Sequence, residues 1–157
     1  MDPAEDLRYE HEVLRGKLAM VEEFLPSFCD APFLVAQLTD ALAACWHAHT
    51  EREERLLDAL MRHRYEPPPV SLQRLHDEHE NQRMRLAVLH TLITAGGAAS
   101  GDQVATQAGY LIKELREHMA REEEEMFPVI GRPVAAAPRG EADMAEEEGE
   151  LCLTGLA

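Results

Sequence analysis

The chain has 157 residues, and its 15 Lys and Arg against 30 Asp and Glu give a formal net charge of −15. This length fits one domain with an ordinary apolar core, and the negative charge argues against nucleic acid or an anionic membrane as partner. The three cysteines, Cys29, Cys45 and Cys152, have no close pairing, and the chain shows neither a basic leader nor an apolar span, so we expect a reducing, cytoplasmic location.

Two helices are predicted in the first half of the chain. Asp2, Pro3 and Glu5 are typical of a helix start, and Pro26 should end that helix. The second helix should open at Asp30 with Pro32 and stop before the prolines at 67–69. Its apolar stripe consists of Leu38, Leu42, Trp46, Leu57 and Leu60.

Two further helices are predicted in the second half. One should run from near Ser71 to the glycines at 96–97, and the other should be capped by Asp102 and end at Gly131. Pro128 is expected to kink the last turn of the fourth helix. The two apolar stripes comprise Leu72, Leu75, Leu86, Leu89 and Ile93, and then Leu111, Leu115, Met126 and Ile130.

The fold class follows from these four segments. Sustained alternation of β-branched and polar residues, the pattern of a strand, is missing between them. Four helices with short connections predict an all-α, antiparallel up-down four-helix bundle over residues 1–131. Residues 132–157 are rich in Ala, Gly, Pro and Glu, so we expect a disordered acidic tail there.

The chain contains an internal repeat. LRYEHEVLRGKLAMV from Leu7 aligns with LHDEHENQRMRLAVL from Leu75 at an offset of 68 residues, and the second helix aligns with the fourth at an offset of 69. Both halves are therefore one helical hairpin, duplicated.

Each hairpin repeats the same polar pattern within its apolar stripe. Its first helix carries a lone histidine, and its second carries His-x-x-x-Glu, whose i, i+4 spacing places both side chains on one face. Although one such residue alone is usually an ordinary core or surface residue, six on core-facing stripes would cost several kcal/mol each if left unpaired. The six candidate metal ligands are His11, His49, Glu53, His79, His118 and Glu122.

The second helix offers a competing pair with the same spacing, His47 and Glu51. Helical steps from His47 meet acidic positions, whereas steps from His49 meet Leu42 and Trp46. The apolar periodicity therefore favours His49 with Glu53.

The ligand types restrict the metal. Imidazole and carboxylate suit iron, zinc, copper and manganese, and the lack of thiolate argues against a structural zinc or iron–sulfur site. Six side chains exceed one mononuclear site that keeps room for a substrate. Two metals sharing two bridging carboxylates would each receive two histidines.

These residues resemble the hemerythrin-like HHE family, whose pattern is a histidine on helices one and three and His-x-x-x-Glu on helices two and four. The resemblance spans residues 7–130, and HMAREEEEMFP from His118 to Pro128 is its strongest local piece. It implies that the four histidines are terminal ligands and that Glu53 and Glu122 bridge two iron ions. It also implies a cofactor that cycles between Fe2+ and Fe3+ with an oxo or hydroxo bridge.

The chain departs from the oxygen-carrying members of that family at two positions. Leu75 stands where those proteins have a fifth ligand histidine, and Glu122 and Glu123 stand near the position of their ligand aspartate. His76 is an alternative fifth ligand. With four histidines both irons could keep an open position, which favours chemistry over oxygen carriage.

The resemblance therefore implies a non-haem di-iron protein that binds or reduces a small oxidant (O2, H2O2 or NO) in oxidative or nitrosative stress. As an enzyme it would be a peroxidase-like, catalase-like or NO-reducing oxidoreductase. The alternatives are an iron or oxygen sensor that signals to a protein partner through the acidic tail, and an iron donor for repair of iron centres. A purely structural bundle without metal is the remaining possibility.

Overall fold

A computed structural model describes residues 3–62, 71–95 and 100–130. Four long helices account for most of them: α1 (Pro3–Phe24), α2 (Pro32–Arg62), α3 (Leu72–Thr94) and α4 (Gly101–Arg121). A short 3-10 turn, Leu25–Ser27, follows α1. A π-helical turn, Glu122–Met126, leads from α4 into the four-residue α5, Phe127–Ile130.

The helices form an antiparallel ring, as side-chain pairs between neighbours show. Glu22, near the end of α1, pairs with Arg116 in α4. His11, earlier in α1, contacts Glu123, which comes after Arg116 in the chain. The two segments therefore run in opposite directions. On α3 and α4, Arg85 pairs with Glu114 while Glu78 pairs with Arg121. The helices α1 and α2 are also antiparallel, and so are α2 and α3. The predicted up-down four-helix bundle is therefore confirmed.

Local sequence explains two of the helix starts. The Ser71 side chain accepts from the backbone of Arg74 and caps α3. The predicted cap of α4 at Asp102 is wrong, because Ser100 and Gln103 form a reciprocal capping box and Asp102 lies inside the first turn. There its carboxylate faces the positive end of the helix dipole.

Two apolar clusters fill the bundle on either side of a polar layer. The larger cluster surrounds Leu14, Trp46, Leu86 and Leu115, and the smaller one contains Leu7, Leu57, Leu75, Met126, Phe127 and Ile130. Burying each large apolar side chain stabilises the fold by roughly 1.5–3 kcal/mol. The two clusters thereby shield the polar layer from water above and below it along the bundle.

The π-helical turn interrupts the second hairpin near Pro128. Proline cannot donate a backbone hydrogen bond and its ring clashes with the carbonyl four residues earlier, which the wider turn relieves. The backbone N–H of Phe127 donates to the carbonyl of Glu122, five residues back. The extra residue turns Phe127 into the core, 4.9 Å from the His11 ring, while its repeat counterpart Asp58 stays partly exposed.

Several expectations fall outside the described residues: the Asp2 cap, the prolines at 67–69, the glycine stops at 96–97 and 131, and the disordered tail at 132–157. The division into domains at residue 131 therefore stays a prediction. Within the described part of the chain, no helix is both long and apolar enough to cross a membrane.

Candidate metal centre

The polar layer contains all six residues that the sequence singles out. Each is buried, with at most 3% of its surface exposed. The lone histidines come from α1 and α3, Glu122 opens the π-turn, and α2 and α4 supply the rest. Because the spacing of three and four residues that buries Leu7, Leu14 and Leu18 also includes His11, the helix carries this imidazole into the core together with them.

The four histidines form two pairs whose rings meet through their Nε2 atoms. The Nε2 atoms of His11 and His49 are 3.0 Å apart, and those of His79 and His118 are also 3.0 Å apart. Each pair combines the two helices of one hairpin. The centre is therefore built from two similar halves.

Glu122 lies between the two histidine pairs. Its Oε1 atom is 2.6 Å from His118 Nε2 and its Oε2 atom is 3.3 Å from His11 Nε2. Two groups of ligand atoms result, one from His11, His49 and Glu122 and one from Glu53, His79, His118 and Glu122. Glu122 thus belongs to both groups, whereas Glu53 belongs to one, 3.5 Å from His79 Nε2.

Each histidine has a carboxylate partner on its outer nitrogen. The Nδ1 atoms of the four rings lie 2.8–3.3 Å from a glutamate oxygen on a neighbouring helix. A carboxylate accepts and does not donate, so each Nδ1 carries the proton. The pairs are His11 with Glu123, His49 with Glu10, His79 with Glu54, and His118 with Glu78.

This protonation leaves lone pairs facing each other inside the bundle. Two neutral Nε2 atoms at 3.0 Å repel unless a proton or a cation lies between them. Two nitrogens that bind one metal ion at about 2.1 Å and at right angles would lie about 3 Å apart. The spacing of both pairs therefore fits metal coordination.

Arginines complete the arrangement on the outside of the bundle. Arg15 donates to Glu123 and Arg121 to Glu78, while Arg52 pairs with Glu10 and Arg83 lies 3.6 Å from Glu54. The repeat relates Arg15 to Arg83 and Arg52 to Arg121. Each histidine thus has the same series of contacts, from its imidazole to a carboxylate and from that carboxylate to a guanidinium group. Each series fixes the orientation of one ring.

Two of the outer carboxylates, Glu78 and Glu123, are held in their ionised form. Burial alone would raise the pKa of Glu123, but the hydrogen bonds from Arg15 and His11 outweigh it and lower the pKa. Burial likewise opposes ionisation of Glu78, and the Arg74 hydrogen bond with the charge of Arg121 lowers its pKa. Ionised acceptors keep the Nδ1 protons in place at neutral pH.

The two inner carboxylates differ in their partners. Burial, and then the negative charge of Glu122, raise the pKa of Glu53 well above its ordinary value. Burial also opposes ionisation of Glu122, but its contacts with the Nε2 atoms of three histidines outweigh it and hold its pKa well below its ordinary value, which requires protons on those inner nitrogens when no cation is bound. Neither oxygen of Glu53 has a hydrogen-bond partner among the described residues. Such an orphaned buried carboxylate is the group that a bound cation would satisfy.

The structure also places the competing residues. His47 and Glu51 are exposed and pair with each other. His76 lies 3.2 Å from Glu54 with 37% of its side chain exposed, and it is in neither ligand group.

The outer layer is not among the residues that the sequence singles out. Glu10 and Glu78 each contact the histidine of the neighbouring helix and not the one beside them in the chain. The roles of Glu54, Glu123 and the four arginines were missed. Their coincidence at the repeat offsets of 68 and 69 residues was the signal that could have revealed them.

Comparison with family models gives a match to the hemerythrin HHE cation-binding domain over residues 2–130, and a second, overlapping match covers residues 70–156. The chain belongs to the hemerythrin HHE family. Neither the curated proteins nor the solved structures gave a match. Hemerythrin-like domains bind metal, typically iron, and the buried histidine and glutamate groups of this chain are able to hold it.

Proposed function

We propose that this hemerythrin-like protein holds two iron ions in its polar layer and uses them to bind or reduce a small oxidant, O2, H2O2 or NO. The observation that carries the proposal is the pair of ligand groups sharing Glu122. His11 and His49 would hold one ion, and His79, His118 and Glu53 the other. The proposal includes Glu53 as a second bridge.

The side chains around the ions have defined tasks in this proposal. The outer carboxylates keep each Nε2 lone pair directed inward, and the arginines hold those carboxylates in position. The two apolar clusters exclude bulk water from the layer. A bound iron pair would supply Lewis acidity and electrons to the oxidant.

Metal analysis of the purified protein tests the first part, with about two iron ions expected per chain and a visible spectrum of a coupled ferric pair. For the second part, the reduced protein is mixed with excess H2O2 and a chemical electron donor under anaerobic conditions. Catalytic gas release or consumption of many equivalents of the donor supports an oxidoreductase, and a single stoichiometric oxidation in the presence of the donor overturns it. His118→Ala, which removes one ligand, is the control for metal-dependent turnover.

A second candidate function is an iron or oxygen sensor without turnover. The orphaned Glu53 carboxylate favours it, because buried unpaired charge couples the stability of the bundle to metal occupancy. Metal loss would then change the fold, which a protein partner could detect. Measuring the stability of the fold before and after removal of the metal with a chelator tests this candidate.

Trp46, the single tryptophan of the chain, reports on the centre. Its ring centroid is 6.0 Å from that of His49 and 5.8 Å from that of His118, so it touches one ligand of each pair. We expect iron binding to quench its fluorescence by more than half, since a redox-active ion so close offers an efficient relaxation path. Titration of the metal-free protein with ferrous iron measures this, and zinc serves as the control ion that occupies the site without quenching.

Glu54→Gln is expected to weaken iron binding by about 10–100-fold. The amide can present its donor to His79 Nδ1, which frees the ring to rotate and changes the tautomer. Competition with a chelator of known affinity measures the change. Glu51→Gln on the exposed side of the same helix is the matched control, and equal affinities for the two variants would contradict the role of Glu54.

A further inference from the structure

A small cavity reaches the metal centre from one corner of the bundle. Its volume is about 90 Å³, and its walls include two of the six candidate ligands, His118 and Glu122. Leu75 and Met126 provide its apolar surface, and Arg74, Glu78, Arg121 and Glu125 its polar surface. A larger hollow of about 500 Å³ between α3 and α4 includes none of the six candidate ligands.

The volume restricts what the cavity can hold. A water molecule needs roughly 10–15 Å³ of such space. The cavity of about 90 Å³ therefore accommodates at most about six to nine waters or a small molecule of similar volume, and it is far smaller than the roughly 300–1,000 Å³ of pockets that hold drug-sized ligands.

The charges of the cavity favour a neutral molecule. Arg74 donates to Glu78 at 2.9 Å, and Arg121 donates to the same carboxylate at 3.2 Å. The two guanidinium groups are balanced by Glu78 and Glu125, and the buried Glu122 adds a negative charge. No excess positive charge remains on this lining to concentrate anions.

The two repeated hairpins differ in structure at this corner of the bundle. Glu122, Glu125 and Met126 belong to the π-helical turn, whereas their repeat counterparts, 53–57, lie in regular α2. Isolated π-turns within helices occur frequently at functional sites. The wider turn therefore gives the second hairpin a wall that the first does not have.

The outer contact at the same corner is the longest of the four. Glu78 lies 3.3 Å from His118 Nδ1, whereas the other three carboxylates lie 2.8–2.9 Å from their histidines. Glu78 is bound from the solvent side by two arginines and only loosely from the inside. Glu78 can therefore move outward together with these two arginines without breaking a short hydrogen bond to His118.

We propose that this cavity, between Leu75, Glu78, Arg121 and Met126, is the access route and holding site for a small neutral oxidant on its way to the metal centre. The inference rests on the proposed function, since it needs an occupied centre beyond His118 and Glu122. The oxidant passes between Glu78 and the π-turn and meets the ligand surface directly. Anions and larger molecules are excluded by charge and by volume.

The test uses nitric oxide, a neutral diatomic probe, and the full-length reduced protein loaded with iron. Stopped-flow absorbance measures the association rate of nitric oxide, a readout separate from turnover. Arg121→Ala removes part of the rim, and we expect it to speed association by about tenfold, the lower end of the range over which association rates vary among variants of one site. Leu75→Phe fills the interior and should slow association by a similar factor.

Two control substitutions separate access from other effects. Arg116→Ala lies on the same helix but faces Glu22, and it should leave the association rate unchanged. Arg52→Ala removes the arginine from the repeat-related corner at Glu10, so it measures the effect of losing one outer contact alone. The proposal requires Arg121→Ala to exceed Arg52→Ala clearly. Arg121→Ala, a surface change, keeps the test valid if Leu75→Phe fails to fold.

The outcomes are distinguishable. Iron-loaded Arg121→Ala that associates no faster than iron-loaded Arg52→Ala overturns the access route and leaves the iron centre standing. Wild-type protein that takes up no iron overturns the proposed function as well, and metal analysis shows this before nitric oxide is added.

Discussion

Removing the metal with a chelator is expected to lower the free energy of unfolding by roughly 5 kcal/mol, since each ion present at a hundred times its dissociation constant contributes about 2.7 kcal/mol. For a domain of this size, the melting temperature should fall by roughly 15 °C or more. Without cations, the facing Nε2 lone pairs at 3.0 Å and the unpartnered Glu53 carboxylate are left uncompensated in the core. Thermal melting followed by circular dichroism measures the change.

Restoration is the control for this experiment. Adding ferrous iron to the chelated protein should return the melting temperature, and adding magnesium should not, because imidazole ligands do not suit that ion. A protein whose melting temperature ignores the chelator, although its iron has been removed, would contradict the coupling of metal to stability. It would also remove the support for a sensing role.

Replacing Glu53 with methionine is expected to stabilise the metal-free protein while it weakens metal binding. Exchanging a buried carboxyl group without a hydrogen-bond partner for an apolar side chain of similar volume removes a cost of about 1–3 kcal/mol. Glu53 is fully buried and its oxygens find no hydrogen-bond donor in the described structure. Chemical denaturation of chelated samples measures the gain, and metal analysis of untreated samples measures the loss of iron.

Glu122→Met is the matched variant from the second hairpin, and its effect should have the opposite sign. Glu122 contacts His11, His79 and His118. Without a cation, protons must lie between the facing Nε2 atoms, and removing the Glu122 carboxylate leaves these buried protons without a nearby acceptor, so the metal-free protein should lose about 1–3 kcal/mol. If both variants destabilise the metal-free protein equally, the distinction between the two carboxylates is wrong.

The pKa of Glu53 also predicts a pH dependence for the metal-free protein. Its pKa in the folded state is raised well above the ordinary value of 4.5, so above pH 4.5 the folded state binds more protons than the unfolded state. Stability should therefore fall as pH rises through the raised pKa, by up to about 1.4 kcal/mol per pH unit. The lowered pKa of buried His49 makes the stability rise with pH, and this effect is confined to pH values below the ordinary pKa of 6.5. Comparing the unfolding of the wild type with that of Glu53→Met from pH 4.5 upward isolates the Glu53 effect, because the other groups titrate in both proteins.

Periodicity and the repeat predicted most of the fold and the positions of the six inward residues. Leu7, His11, Leu14 and Leu18 share one helical face, and such a face has to be buried whatever the details of packing. The choice of His49 over His47 follows from the same rule, and the structure buries the first and exposes the second. Whether these residues ligate metal is a separate question that metal analysis answers.

Features that depend on contacts between helices could not be predicted in this way. The Glu10 side chain reaches His49 across α1 and α2, and only the rotation of both helices decides this contact. The π-turn at Glu122–Met126 depends on how Pro128 is accommodated against the core, which one-dimensional periodicity does not contain. Ser100 was overlooked because Asp102 is also an acceptable cap by residue type, and geometry alone distinguishes them.

Two of the four histidines contact an outer carboxylate of their own hairpin, and the other two contact one of the opposite hairpin. His49 and His118 find their acceptors inside their own hairpin, whereas His11 and His79 find theirs, Glu123 and Glu54, on the opposite one. Separating the hairpins would therefore cost each half one oriented imidazole, and it would also remove Glu122 from His11 and His49, and Glu53 from His79 and His118. We therefore expect docking of the two halves and uptake of the ions to be coupled, and a change that loosens the contact between the hairpins should release metal without touching a ligand.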